Sequence, residues 1–152
     1  MALGLDPIIL TGNLKLGATT ATLFEVGDNI TGMKITGERD IIELPSTLAT
    51  TTGSRRAGSD HYTLQIDYLP SDDNSTTSTF MLFWNQLSDV TAGFEGYIYY
   101  EGSMRASAVS SANPRWSGAA IVTGAAIGGT ANDLSTDSQT FPCVAKPTRS
   151  NT

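Results

Sequence analysis

Asn74-Ser-Thr-Thr-Ser-Thr-Phe-Met-Leu-Phe-Trp-Asn-Gln-Leu-Ser-Asp89 carries the strongest helical period in the chain. Phe80, Phe83, Trp84 and Leu87 recur at i, i+3, i+4 and i+7, one face of an α-helix, which predicts a helix over about residues 77–88. Ser75, Thr76, Thr77 and Ser78 offer hydroxyls that accept bonds from the unpaired N–H groups of a first turn. Gly93 lies near where such a helix turns out into a loop. Each large aromatic buries roughly 150–250 Å². The rest of the chain must therefore supply a sheet for this stripe to lie on.

The cleanest strand is 61–69, where Tyr62, Leu64, Ile66 and Tyr68 share one face and His61, Thr63, Gln65 and Asp67 share the other. Further strands are expected at 19–26 and 29–36, with 38–44 continuing past a bulge or bend at Gly37. Residues 94–101 and 103–112 read as an antiparallel pair around Glu101-Gly102. The apolar run inside 116–127 reads as a strand buried on both faces, and 133–141 as one more short strand. The expectation is a mainly β, two-sheet β-sandwich or barrel with one flanking α-helix. It is a single domain over 1–152, with an N-terminal arm 1–18 and a polar C-terminal tail 142–152.

Between two of these strands, 45–60 is long, polar and almost without apolar anchors. Structureless connections beyond about 12–15 residues are uncommon in compact domains. Two readings stand: a surface loop, or an arm that orders on a partner, with Arg55 and Arg56 seeking carboxylates there.

The chain of 152 residues has a net charge of −6, which argues against a general nucleic-acid binder, since that needs a basic stripe. Charged residues make up 16%, against roughly 25% in an average domain. That deficit fits extensive contact with other protein, and equally a surface rich in Ser and Thr. With one cysteine, Cys143, and one histidine, His61, neither an intrachain disulfide nor the usual structural zinc site is available. The first ten residues lack the basic start of a signal peptide, and no stretch approaches the roughly 20 apolar residues of a membrane span. A reducing cytoplasm is the expected place of synthesis.

Candidate chemistry is thin. Ser59-Asp60-His61 holds the residue types of a hydrolase triad, but consecutive residues on a strand point to opposite faces. Asp72-Asp73-Asn74 begins like a calcium loop and lacks its glycine and closing glutamate. Asn29 and Asn74 begin glycosylation-type triplets that have no meaning without a secretory signal. Tyr97, Tyr99 and Tyr100 are the aromatics that a carbohydrate-binding β-sandwich would use, and they are equally good interface residues. No enzyme activity, cofactor or metal is expected, and function is sought in assembly.

From Ile42 onward the chain resembles the major tail proteins of long-tailed bacteriophages. The resemblance lies in Glu43-Leu-Pro-Ser-Thr-Leu-Ala-Thr-Thr-Thr52, Arg56-Ala-Gly-Ser59, the strand 62–69, the helix, and Asn113-Pro-Arg-Trp-Ser-Gly118 before a long strand. It covers roughly residues 20–142 in order and layout. It implies a virion structural protein whose copies close hexameric rings and stack into a tail tube, with inner sheets joined into a DNA channel. By that resemblance, Leu48, Thr50, Thr52, Arg55 and Arg56 belong to a loop that touches the adjacent ring, and the terminal arms also make inter-ring contacts. Its partners would be further copies of itself, tape-measure and terminator proteins, and DNA in non-specific transit, with no membrane. Thr63, Gln65 and Asp67, with Glu38 and Asp40, are the expected channel-facing residues, and Lys34 and Arg39 are cations near them. The alternatives are a capsid decoration protein, a tail terminator, or a carbohydrate-binding β-sandwich module.

Overall fold

β3 (Ile30–Leu44) and β4 (Ser54–Tyr68), of 15 residues each, are the longest elements of the protein and pair antiparallel along their length. The computed structural model describes residues 12–25, 30–45, 54–70, 78–88 and 96–152. Before this hairpin come β1 (Leu14–Gly17) and β2 (Phe24–Glu25); after it come α1 (Thr79–Ser88), β5 (Tyr97–Ser103), β6 (Arg115–Ile121), β7 (Asp137–Pro142) and β8 (Thr148–Ser150). The strands form a five-stranded sheet, β2-β1-β5-β6-β8, and a three-stranded sheet, β3-β4-β7. This is the expected mainly β, two-sheet sandwich with one helix, and the barrel is not closed.

The alternation of β4 builds the core. Leu64, Ile66 and Tyr68 are fully buried, and they meet Leu14, Leu16, Ile98, Tyr100 and Ala120 of the opposite sheet. Phe83 of α1 stands edge-on to Tyr68 (centroids 5.3 Å, 86°) and to Phe141 of β7 (4.9 Å, 79°). Such edge-to-face pairs add to the burial of the rings themselves. Ser78 caps the helix, its Oγ accepting from the Met81 N–H at 3.4 Å.

The two sheets are tied at one corner by the chain itself. Past β7, the Cys143 N–H donates to the Tyr62 carbonyl at 2.8 Å, and the residue bridges Ala120 of β6. Val144 N–H then donates to Ala119 O at 2.9 Å before the chain runs on to β8 beside β6.

Several expectations need correcting. The buried face of α1 is Thr79, Leu82, Phe83 and Gln86 with Phe80, whereas Trp84 is 51% exposed and lies against Phe80 at 5.7 Å. Leu82 lies about 160° around the helix from Trp84, so a sheet packed on the side of Thr79, Phe83 and Gln86 takes Leu82 in and leaves Trp84 out. Gly37 pairs regularly with Tyr62; the irregularities fall between Ile30 and Gly32 and between Arg39 and Ile41. Glu101-Gly102 is not a turn: β5 continues to Ser103 and pairs with β6, because residues 104–114 fold into a loop around buried Asn113. The Asn113 amide donates to the carbonyls of Arg105 (3.1 Å) and Ser107 (2.6 Å), so those carbonyls have no need of a strand partner. Strand β6 stops at Ile121, which is 36% exposed, so the run is not buried on both faces. The tail contributes β8, and only β2 of the expected strand 19–26 is formed among the described residues.

Phe83 and Trp84 therefore separate cleanly. Phe83→Ala is expected to lose about 3–5 kcal/mol of stability. Trp84→Ala is expected to lose about 1 kcal/mol or less. Urea melts of the two variants check the difference, and equal losses would place the tryptophan in the core.

Candidate functional site

Residues directly opposite one another in an antiparallel pair share a face of the sheet. With Leu64, Ile66 and Tyr68 turned into the core, Thr63, Gln65 and Asp67 occupy the outer face of the three-stranded sheet. The register sets Lys34 across from Gln65, Thr36 from Thr63, Glu38 from His61 and Gly32 from Asp67. From β7 it adds Thr140 beside Gln65 and Ser138 beside Asp67. His61 Nε2 lies 3.8 Å from both Glu38 Oε2 and Asp40 Oδ1, which puts Asp40 on this face too. Thus Glu38, Asp40, Thr63, Gln65 and Asp67 are brought together, as neighbours on one polar surface.

That surface is acidic and internally bonded. Glu38, Asp40 and Asp67 stand against one lysine, Lys34, which has no ion-pair partner among the described residues. The Gln65 amide donates to Asp67 Oδ1 at 3.1 Å and to Ser138 Oγ at 3.3 Å, and the Ser138 hydroxyl donates to Asp67 Oδ1. Arg39 is not on this face. It makes a two-pronged contact with Asp60 on the other side, Nε to Oδ1 and Nη2 to Oδ2 at 3.0 Å. Among the described residues no three ligating side chains are arranged to hold a metal ion.

Beyond this face the hairpin outruns the core. Gly37 to Glu43 on β3 and Ser54 to Ala57 on β4 are all exposed, so the ribbon is a projecting arm. Segment 45–60 is therefore not one long loop: Ser54 to Asp60 are strand, paired with Arg39 to Leu44. Their Ser, Arg, Gly and Asp content hides this, because the pairing is held by cross-strand partners and not by propensity. Arg55 pairs with Glu43 at 3.1 Å, and Arg56 lies opposite Ile42. Ile41 and Ile42 are 64% and 52% exposed. They alternate, so each side of the arm carries one isoleucine. Leu48, Thr50 and Thr52 lie outside the described residues.

Elsewhere, an open pocket of about 230 Å³ lies over the five-stranded sheet, lined by Lys15, Glu25, Glu101 and Arg115 among others. Lys15 is flanked in register by Glu25 and Glu101, and Arg115 bonds Glu101 at 3.3 Å and the Thr152 carbonyl at 2.8 Å. Its charges are matched internally. Of the three tyrosines considered as a sugar platform, Tyr100 is inside the core, with its hydroxyl titration raised by burial, while Tyr97 and Tyr99 are half-buried. The β7 contributions to the polar face, Ser138 and Thr140, are invisible in sequence: they sit some seventy residues from Asp67 and only pairing unites them.

Comparison of the chain with protein-family models and with curated proteins returns no match to either. The geometry itself makes a prediction about the arm. Hydrogen bonding from Arg39 holds the Asp60 carboxyl below the usual carboxylate range, aided by the charges of Arg39 and Lys146 against a desolvation cost. A depressed carboxyl stabilises above its unfolded value, about pH 4, and that contribution is lost as pH falls through the folded value. Amide protection of Arg39 and Asp60 should therefore drop on acidification from neutral pH before that of Leu64 to Tyr68 does. In Asp60→Asn the early loss should disappear; an unchanged profile would show that the pair does not hold the arm.

Proposed function

We propose that the protein is a structural subunit of a bacteriophage tail tube, assembling through its own copies into stacked hexameric rings around a DNA conduit. The observation that carries this reading is the three-stranded sheet, acidic on its outer face, without a partner on the outer edge of β3 among the described residues, and prolonged into the arm. A sheet edge of 15 residues with no partner strand among the described residues is a template for another strand. The edges of the other sheet, β2 and β8, are short, at two and three residues. A neighbouring copy that covers β3 would remove the exposed edge, and joining such sheets around a ring would leave their polar faces turned to one lumen. A lumen lined by Glu38, Asp40 and Asp67 repels phosphates and lets DNA pass without adhesion.

The arm supports stacking. Its apolar side chains Ile41 and Ile42 have no core beneath them, and its ion pairs keep the ribbon extended beyond the domain that carries it. In a stack it would reach the next ring. The sequence resemblance to tail-tube proteins joins these features to one function, with tape-measure and terminator proteins as the expected companions and the virion as the destination. A capsid decoration protein, the chief alternative, would have no use for an acidic sheet face turned to a channel.

Electron microscopy of the purified chain across concentration is the direct test, with hollow tubes or six-fold rings expected. Ile41→Lys combined with Ile42→Lys should leave the thermal melt unchanged, because both residues are exposed, yet reduce tubes to single rings or monomers. Normal tubes from that variant would remove the arm from stacking, and wild-type monomers that coat capsid shells would overturn the tube.

A further inference from the structure

We infer that Asp67 acts as a sink for the Gln65 amide and the Ser138 hydroxyl on the outer sheet face, seated there by Gly32, so that a phosphodiester backbone finds neither donor free to hold it; this rests on the conduit reading above. Phosphate oxygens are pure acceptors, and protein groups that hold them are cations, amides and hydroxyls. Repulsion by carboxylates fades over roughly 8 Å at physiological salt. Donors act at contact and escape that screening.

The face contains the makings of a phosphate site. Lys34 lies directly across from Gln65, and Ser138 is bonded to the Gln65 amide at 3.3 Å. A lysine ammonium, an amide and a hydroxyl so grouped would clamp a passing phosphate. Asp67 prevents this. Its Oδ1 accepts from both Gln65 Nε2, at 3.1 Å, and the Ser138 hydroxyl, which turns both donors along the sheet and not outward. The carboxylate also sets a negative charge beside Lys34.

Gly32 makes the seat. It faces Asp67 at the irregular step between Ile30 and Gly32, and a Cβ there would stand 2.7 Å from Asp67 Oδ2. The carboxylate fills the space that any side chain at position 32 would take. Because the obstructed atom is the free end of a side chain, Gly32→Ala displaces the carboxylate without breaking the backbone pairing. Gly32 is thus a positioning residue for Asp67.

Retention of the full-length, unassembled chain on immobilised duplex DNA at about 150 mM salt tests the inference, because charge repulsion is then screened over roughly 8 Å while contacts to neutral donors are not. Wild type should flow through. Asp67→Ala, with Gln65 and Ser138 released, should be retained about tenfold more, the factor that two modest hydrogen bonds supply. Gly32→Ala should be retained to a lesser degree at unchanged net charge, and it carries the test alone if Asp67→Ala does not fold. Glu38→Ala removes the same charge as Asp67→Ala but releases neither the Gln65 amide nor the Ser138 hydroxyl and adds no donor, and should flow through. Equal retention of Glu38→Ala and Asp67→Ala would reduce the effect to net charge and overturn the inference, as would flow-through of every variant. The expected retention pattern in a chain that forms no tubes would keep the donor sink and reject the conduit.

Discussion

The structure depends on the two-residue alternation of β4. On one side it delivers Leu64, Ile66 and Tyr68 to a core that also receives Phe83 and Phe141. On the other it delivers Thr63, Gln65 and Asp67 to a polar face that β3 and β7 complete. A shift of one residue in its pairing would exchange the two sides, exposing three fully buried side chains and burying a carboxylate. Core packing and surface chemistry are therefore set by the same register, and neither can drift while the other holds.

The same strand leaves the core and continues as half of the arm. The change in role is abrupt. Up to Tyr62 the pair rests on packed side chains; beyond it, among the described residues, it rests on ladder hydrogen bonds, the ion pairs Arg39–Asp60 and Glu43–Arg55, and the contacts of His61 with Glu38 and Asp40. Exposed pairs of this kind are individually weak. The arm is the least stabilised part of the described sheet, which suits an element that gains its remaining contacts from another molecule. Behind it, the Cys143 corner binds the two sheets on one side, and among the described residues β3 is the long edge of the three-stranded sheet.

Acidic surfaces are easily credited with repelling DNA by charge alone. On this sheet the carboxylates differ in kind. Glu38 and Asp40 flank His61 at 3.8 Å and are well exposed, whereas Asp67 lies flat in a hydrogen-bonded cluster against Gly32. Position in the ladder decides which carboxylate contributes charge and which also removes donors. Composition, with its net charge of −6, describes only the former.

Local pattern determined the class of fold, the helix with a set of candidate caps that includes Ser78, and the two faces of β4, because alternation and 3.6-residue periodicity are properties of neighbouring residues. Thr63, Gln65 and Asp67 were legible on one polar face for the same reason, whereas Glu38 and Asp40 joined them only through the pairing of β3 with β4. Tertiary structure alone decided that Trp84 stays outside while Leu82 goes in, since the two flank Phe83 on opposite sides of the helix and only the facing sheet chooses which flank is covered. It alone turned the polar segment from Ser54 to Asp60 into strand, through partners on β3 that its own residues do not announce. It alone brought Ser138 and Gly32 to Asp67, from opposite edges of the sheet and distant parts of the chain, because hydrogen-bonded register has no trace in sequence until the strands meet.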